Sequence, residues 1–154
     1  MTFSCTEQIG GFNNLEIYTL DECSSWPVLL TDNTSKDVVF TAQGESVDGN
    51  LIQESINVDE NPRKNTAGKF FAISISFDFA SQSPALDQLL DQYKGEPVVA
   101  VVCKNFPQKK LFGSNRAALQ LDYKVIHGRK PEDGSITRVT IKGNIPNRSV
   151  HLLE

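Results

Sequence analysis

Residues able to support nucleophilic or acid–base catalysis are scarce in this sequence. The two histidines are His127, beside the Gly128 turn, and His151, near the end of the sequence. A serine or cysteine nucleophile needs a base, usually histidine, within hydrogen-bond reach, and both histidines occupy positions typical of ordinary surface residues. The sequence also lacks a GxxxxGK phosphate loop, a GxGxxG turn, an HExxH zinc motif and an EF-hand loop. We therefore predict a protein that is not an enzyme, with no catalytic residue and no cofactor.

The cysteines and the turn carboxylates do not suggest a metal site. Cys5, Cys23 and Cys103 are unequally spaced and form no CxxC pair, so neither a disulfide framework nor a zinc site is predicted. We expect reduced, structural thiols, with Cys103 inside the sheet. Five acidic residues stand in predicted turns, where they are expected to solvate loops rather than bind calcium: Asp48, Asp59, Glu60, Glu132 and Asp133.

Three basic pairs, Arg63-Lys64, Lys109-Lys110 and Arg129-Lys130, fall in predicted hairpin turns. Charges in turns usually solvate the loop, although three such pairs at strand ends could form a phosphate-binding edge. The aromatic residues lie in predicted strands, at the alternating positions that face a core, and not between the basic residues. This favours the interpretation that the basic pairs solvate their loops. We therefore do not predict a nucleic-acid interface.

Charge is segregated along the chain. Residues 1–60 hold eleven of the nineteen acidic residues and a single base, Lys36, whereas residues 61–154 hold eight acidic residues and fourteen bases. The first part therefore carries about −10 and the second about +6. Either folding interleaves the two parts, or the subunit has a dipolar surface on which one copy attracts the opposite face of the next.

Alternating apolar residues predict a mainly β fold. The clearest strand covers 71–79, where aromatic and isoleucine side chains alternate with small or polar ones. Weaker patterns predict strands over 14–20 and 51–58, and a hairpin with arms at 26–30 and 37–41. The stretch 59–68 (DENPRKNTAG) is expected to be an exposed, mobile loop, because Pro62 and Gly68 oppose regular strand pairing.

The second half predicts one helix followed by three more strands. Residues 83–94 have an N-cap serine, Pro84 at the first helical position, leucines at helical spacing and Gly95 as a stop. The valine-rich run 97–103 predicts a strand covered on both faces, one of them by the helix. Beyond the basic turn 104–110, strands over 117–125 and around Val139 should pair antiparallel. The predicted fold is a single domain over 1–154, an antiparallel β-sandwich or partly closed barrel with one flanking α-helix.

The N-terminal region has no secretory signal pattern and no stretch approaches the roughly 20 apolar residues needed to span a bilayer. We therefore expect a protein made in the cytoplasm, with no membrane partner.

Several segments carry a resemblance to a known family. The opening CTEQIGGFNNLEIYTLDE combines a cysteine, paired glycines and an apolar first strand, at Cys5, Gly10, Gly11, Leu15, Ile17 and Tyr18. The order GKFFAISISFDF, a helix ending in Tyr93-Lys94-Gly95, VVAVVC, LFGSNRAALQLDY and GSITRVTIKG then follows. In this order of parts the chain resembles tail-tube or tail-structural proteins of bacteriophages that infect Bacteroidota. The basic KNFPQKK stretch departs from the short aspartate or glycine turn usual in that family.

The resemblance implies a virion structural protein made in the host cytoplasm. Six copies would form a ring, and rings would stack into a tail tube through which DNA passes as cargo. The partners would be the chain itself and other tail or connector proteins. Together with the charge pattern, this predicts subunit-interface residues at Asp59, Glu60, Arg63, Lys64, Lys109, Lys110, Asp21 and Glu22.

Two other classes of function stay open at this stage. A head-to-tail connector or tail terminator would form one ring and stop, and the order of elements does not separate these from a tube or a baseplate hub. A monomeric β-sandwich binding module would use the same loops on a peptide, a glycan or a nucleic acid.

Overall fold

A computed structural model of the chain describes residues 2–4, 12–40, 55–80, 84–104, 109–130 and 134–152. Over these residues the protein is mainly β, with a curled antiparallel sheet that forms a half-barrel and one flanking α-helix. The predicted fold class is confirmed.

Eleven strands make up the described part of the β structure: β1 (Thr2–Ser4), β2 (Phe12–Thr19), β3 (Cys23–Ser25), β4 (Val39–Phe40), β5 (Asn57–Asn65), β6 (Gly68–Phe79), β7 (Pro97–Lys104), β8 (Lys109–Phe112), β9 (Leu119–Ile126), β10 (Ile136–Ile145) and β11 (Val150–His151). The helix α1 spans Pro84–Tyr93, and two short 3-10 helices span Leu20–Glu22 and Ser35–Asp37. The main sheet has the order β1-β2-β7-β9-β10-β6-β5, while β8 pairs with both β7 and β11. Strands β3 and β4 form a separate two-stranded sheet.

The longest strand, β6, confirms the alternation seen in the sequence. Its residues Ile73, Ile75, Phe77 and Phe79 are buried, because every second side chain of a strand points to the same face. Strand β10 pairs with β6 from Ile145 to Thr137 and places its own Val139 and Ile141 in the same core. Strand β9 pairs with the other edge of β10, as predicted.

Strand β7 is covered on both faces, which explains its unbroken run of apolar residues. Val98, Ala100 and Val102 belong to the main core together with Leu86 and Leu90 of α1. On the opposite face, a second cluster joins its remaining valines to other buried side chains: Tyr18, Val38, Val99, Val101 and Leu111. Residues 20–40, which we call the strap, contribute most of the partly buried side chains that cover this second cluster. The prediction that α1 lies on one side of the strand is confirmed.

The helix ends where the sequence predicts. Gly95 follows it with φ of +82°, a conformation that favours glycine, and the Lys94 amide donates to the Leu90 carbonyl at 2.9 Å. Its exposed side is tied to β9, because the Tyr123 hydroxyl bonds Asp91 and Lys94 Nζ lies 3.5 Å from Asp122 Oδ1. The predicted N-cap at residue 83 lies outside the described residues.

The first predicted hairpin exists with a different first arm. Its strands are β3 and β4, with Cys23 opposite Phe40, whereas residues 26–30 lie outside any strand. Pro27 removes a backbone donor from that run, so the run pairs poorly in a ladder. Trp26 and Leu30 instead pack against the second cluster.

The predicted mobile loop over 59–68 is wrong. Residues 57–65 form β5, which pairs with β6 through to Asn65 opposite Gly68. Proline is tolerated in β5 because this strand lies at the edge of the sheet, and the Asn65 side chain closes the turn by accepting the Ala67 amide at 2.9 Å. Of the strand predicted over 51–58, residues 51–54 lie outside the described part and the observed strand begins at Asn57.

The predicted basic turn over 104–110 is shorter than expected. Lys104 ends β7, while Lys109 and Lys110 begin β8, which pairs back onto β7. Residues 105–108 between them lie outside the described part. Strand β9 pairs with the same edge of β7 at Pro97 and Val98. One edge of β7 therefore pairs with β9 at its start and with β8 further along.

Leu119 is packed so tightly that a glycine beside it has no room for a side chain. A Cβ at Gly143 would stand 2.5 Å from Leu119 Cδ2 and 3.3 Å from Leu119 Cα, and Leu119 is fully buried. We expect Gly143→Ala to lower the free energy of unfolding by about 1–3 kcal/mol through overpacking. Urea unfolding measures the loss. Adding Leu119→Val should recover part of it, and a wild-type midpoint for Gly143→Ala would contradict this packing.

Candidate functional site

The hairpin formed by β5 and β6 continues beyond the rest of the sheet. The last residue pair between β10 and β6 is Ile145 with Phe71, whereas β5 and β6 stay paired as far as Asn65 and Gly68. Residues 63–70 therefore form a two-stranded extension, which we call the basic ribbon. Isolated two-stranded hairpins are marginally stable in water, so such an extension is a surface that gains from a partner.

The basic ribbon carries three cations and no carboxylate. Arg63, Lys64 and Lys69 are exposed, and none of them makes an ion pair with another residue in the described part of the chain. The predicted interface residues Arg63 and Lys64 thus stand at an accessible position. Asp59, at the base of the hairpin, is exposed as well.

Glu60 lies in the same strand but serves an internal contact. Its carboxylate accepts hydrogen bonds from the Ser149 amide at 2.7 Å and from the Ser149 hydroxyl at 2.8 Å. Ser149 is buried, so Glu60 holds the segment between β10 and β11 against the hairpin. The structure shows this predicted interface residue engaged within the subunit.

The two predicted acidic interface residues of the strap also differ from each other. Asp21 is exposed, whereas Glu22 accepts a hydrogen bond from the Tyr93 hydroxyl at 3.1 Å and so joins the strap to α1. Residues 20–40 contain four carboxylates, at positions 21, 22, 32 and 37, and one basic residue, Lys36. The strap is therefore acidic, and Asp21 is the predicted residue that is exposed on it.

Lys109 and Lys110 are half-buried strand residues. The Lys109 carbonyl accepts the Leu152 amide at 2.9 Å, and Lys110 pairs with His151 of β11. The third basic pair, Arg129-Lys130, lies exposed in the bend after β9, as predicted. The three basic pairs are thus divided between the ribbon, a paired strand and a turn.

Three candidate base or nucleophile side chains lie in the described part of the chain, at His127, His151 and Cys23. His127 and His151 are exposed, and the His151 amide donates to Asp32 Oδ1 at 2.9 Å. Burial, with the Glu22 carboxylate nearby, raises the pKa of the Cys23 thiol to about 11, so almost all of this thiol is protonated at neutral pH. Residue 5 and the side chain of residue 103 lie outside the described part.

The sheet has a polar face opposite the main core. Register places polar side chains in neighbouring rows across four strands: Gln120, Asp122 and Lys124 of β9, Arg138, Thr140 and Lys142 of β10, Ser74, Ser76 and Asp78 of β6, and Asn57 and Asp59 of β5. Arg138 bonds both oxygens of Asp78, at 2.9 and 3.3 Å. Three cations and three carboxylates share this face, so its charges balance.

Sequence reasoning missed a groove beside the strap. Its volume is about 180 Å³, its floor includes Leu30, Leu111 and Val150, and its rim carries two arginines and two exposed aliphatic residues. We call it the arginine groove and define it by the residues that matter below: Val28, Leu29, Leu111, Ile145, Arg116 and Arg148. Three segments distant in sequence meet here, so only the run of apolar residues at 28–30 could have signalled it.

Among the described residues, no three histidine, cysteine, aspartate or glutamate side chains gather into a group that could hold a metal ion. The helices of the described part also lack the length and apolar character of a membrane span.

Comparison of the chain with protein-family models, with curated proteins and with solved structures finds no match.

Proposed function

We propose that this protein is a structural subunit that assembles with copies of itself, in the specific form of a phage tail-tube protein whose rings stack into a DNA-conducting tube. The observation that carries the proposal is the basic ribbon, an exposed two-stranded extension whose three cations make no ion pair with any described residue, on a subunit whose strap is acidic. Complementary charges on two surfaces of one chain favour directional, head-to-tail growth.

The polar face of the sheet supports the same proposal. A half-barrel with one apolar face packed on a helix and the other face polar resembles a segment of a channel wall. The alternation of Lys124, Arg138 and Lys142 with Asp78, Asp122 and Asp59 gives a wall without a continuous cationic track. Phosphate backbones bind through accumulated cations, so DNA would pass such a wall instead of adhering to it.

Electron microscopy of the purified protein tests the proposal. Long tubes of stacked rings are expected. Single rings that do not stack would instead support a connector or tail terminator, and monomers at high concentration would support a binding module and overturn self-assembly.

Stacking should depend on the charges of the basic ribbon. We expect Arg63→Glu with Lys64→Glu to slow tube growth at least 10-fold, because like charges would then meet the acidic strap of the next subunit. Surface attraction is screened over about 8 Å at physiological salt, so wild-type growth should also slow as salt rises. Light scattering during assembly at several salt concentrations measures both effects.

The matched control is Arg129→Glu with Lys130→Glu, which makes the same charge change in a turn outside the ribbon. Asp21→Lys should partly restore growth of the ribbon variant, whereas Glu22 is engaged with Tyr93 and is a poor choice for compensation. Wild-type rates that do not change with salt would show that the segregated charges have no part in stacking.

A further inference from the structure

The arginine groove combines an apolar floor with cationic rims. Leu111 and Ile145 are almost fully buried, while Val28 and Leu29 at its edge are 86% and 65% exposed. Arg116 and Arg148 stand at the rim, and the described residues that line the groove include no carboxylate. A site with these properties fits an aliphatic side chain that has a carboxylate close to it.

The guanidinium groups of the two arginines are available to bind such a carboxylate. Arg148 Nη2 lies 3.9 Å from Asp32 Oδ2, a long contact between exposed groups, and Asp32 makes its closer bond to the His151 amide. Arg116 is exposed and makes no ion pair with another described residue. A guanidinium can bind a carboxylate through two parallel hydrogen bonds, so Arg116 and Arg148 are suited to the same kind of ligand.

The exposed apolar side chains stand on an ordered turn. The Thr34 hydroxyl donates to the Leu29 carbonyl at 2.7 Å and accepts the Thr31 amide at 2.8 Å. Ser35 is buried and bonds the Asp32 carbonyl at 2.9 Å. The backbone at Leu29 is therefore anchored to the turn that follows it.

The same chain carries a segment with the complementary chemistry. Val39, at 48% exposure, is the remaining exposed large hydrophobic of the described residues, and it points away from Phe40, which stacks on Tyr18. The exposed carboxylate of Asp37 lies two residues before it. Asp37 ends the 3-10 helix Ser35–Asp37 and Val39 begins strand β4, so an exposed carboxylate and an exposed aliphatic side chain lie two residues apart in the chain.

We propose that the arginine groove receives the Asp37–Val39 segment of a second copy of this chain. Val39 would fill the groove beside Val28 and Leu29, and Asp37 would meet Arg116 and Arg148. One contact then covers all three exposed large hydrophobics of the described residues and pairs both arginines. In the contact that we propose, the groove of each copy receives the segment of the next copy, and such a head-to-tail contact closes into a ring when its rotation permits. The inference rests on the proposed self-assembly and assigns the contact within a ring, separate from the stacking through the basic ribbon.

Charge reversal on either surface tests this contact. We expect Arg116→Glu with Arg148→Glu to lower the yield of rings at least 10-fold, and Asp37→Arg to do the same, as counted by mass photometry and electron microscopy. Leu29→Ser should weaken ring formation as well. Arg129→Glu with Lys130→Glu is the matched control and should form rings at the wild-type yield, and thermal unfolding confirms that each variant is folded.

Mixing the two variants gives the sharper result. A chain with a reversed groove and a chain with Asp37→Arg each lack self-complementarity, but each groove matches the other chain's segment. An equimolar mixture should therefore recover rings in which the two chains alternate. Either variant assembling alone at the wild-type yield, or a mixture that forms no rings, would overturn the contact and leave self-assembly standing. A wild-type chain that stays monomeric would overturn both.

Discussion

Phe77→Ala is expected to lower the free energy of unfolding by about 3–5 kcal/mol, enough to unfold much of a marginally stable domain. Phe77 is fully buried in the longest strand and packs edge-on against Phe79, with ring centroids 5.6 Å apart. Phe77 pairs with Val139 of β10 and lies among other fully buried residues of the main core, so the walls of the cavity cannot collapse easily. Urea unfolding followed by circular dichroism gives the loss directly.

Phe70→Ala is the matched control for this core deletion. Phe70 belongs to the same strand but is half-buried in the basic ribbon, beyond the last pair with β10. Its replacement should cost less than about half as much, because less apolar surface is lost. Equal losses for the two variants would contradict the position of the core along β6.

Glu60→Ala is expected to destabilise the free subunit by about 2–3 kcal/mol. The change removes two charge-assisted hydrogen bonds and leaves the buried amide of Ser149 without its acceptor. Hydrogen exchange at Ser149 and Val150 should accelerate, because the segment between β10 and β11 loses its attachment to the hairpin. Urea unfolding measures the stability and exchange mass spectrometry locates the opening.

Further variants test whether the loss of stability comes from the hydrogen bonds between Glu60 and Ser149. Glu60→Gln keeps one oxygen acceptor and should lose about half as much stability, while Ser149→Ala removes only the hydroxyl bond and should lose about 1 kcal/mol. Asp59→Ala, at an exposed neighbouring position, is the control and should be nearly neutral. If Glu60→Ala left unfolding unchanged and impaired only assembly, Glu60 would be an interface residue after all.

The elements that could be predicted from sequence are those in which burial or a terminal signal gives the residues a regular pattern. Strand β6 alternates because one face is buried, α1 has both terminal signals, and β7 is apolar throughout because it is covered twice. The sequence of residues 59–65 predicts a loop although they belong to β5, because their polar composition and Pro62 reflect an exposed edge position, which local sequence does not distinguish from a turn.

The candidate surfaces were predictable only in part, for a related reason. Charge composition drew attention to Arg63, Lys64 and Asp21, which are exposed in the structure. Sequence could not show that Glu22 and Glu60 face inward, because their partners Tyr93 and Ser149 are distant in the chain. The arginine groove was missed because strand pairing, not sequence proximity, assembles it.

The pairing of β2 with β7 has a consequence for synthesis of the chain. Residues 12–19 pair with residues 98–104, so their partner leaves the ribosome long after they do. At ~5–20 residues per second the interval is on the order of 4–16 seconds. During that time Leu15 and Ile17, which are fully buried in the finished fold, have only the three-residue strand β1 beside them. Nascent chains on neighbouring ribosomes would expose the same apolar strand during that interval, so we expect a chaperone that binds residues 12–19 to raise the yield of folded protein.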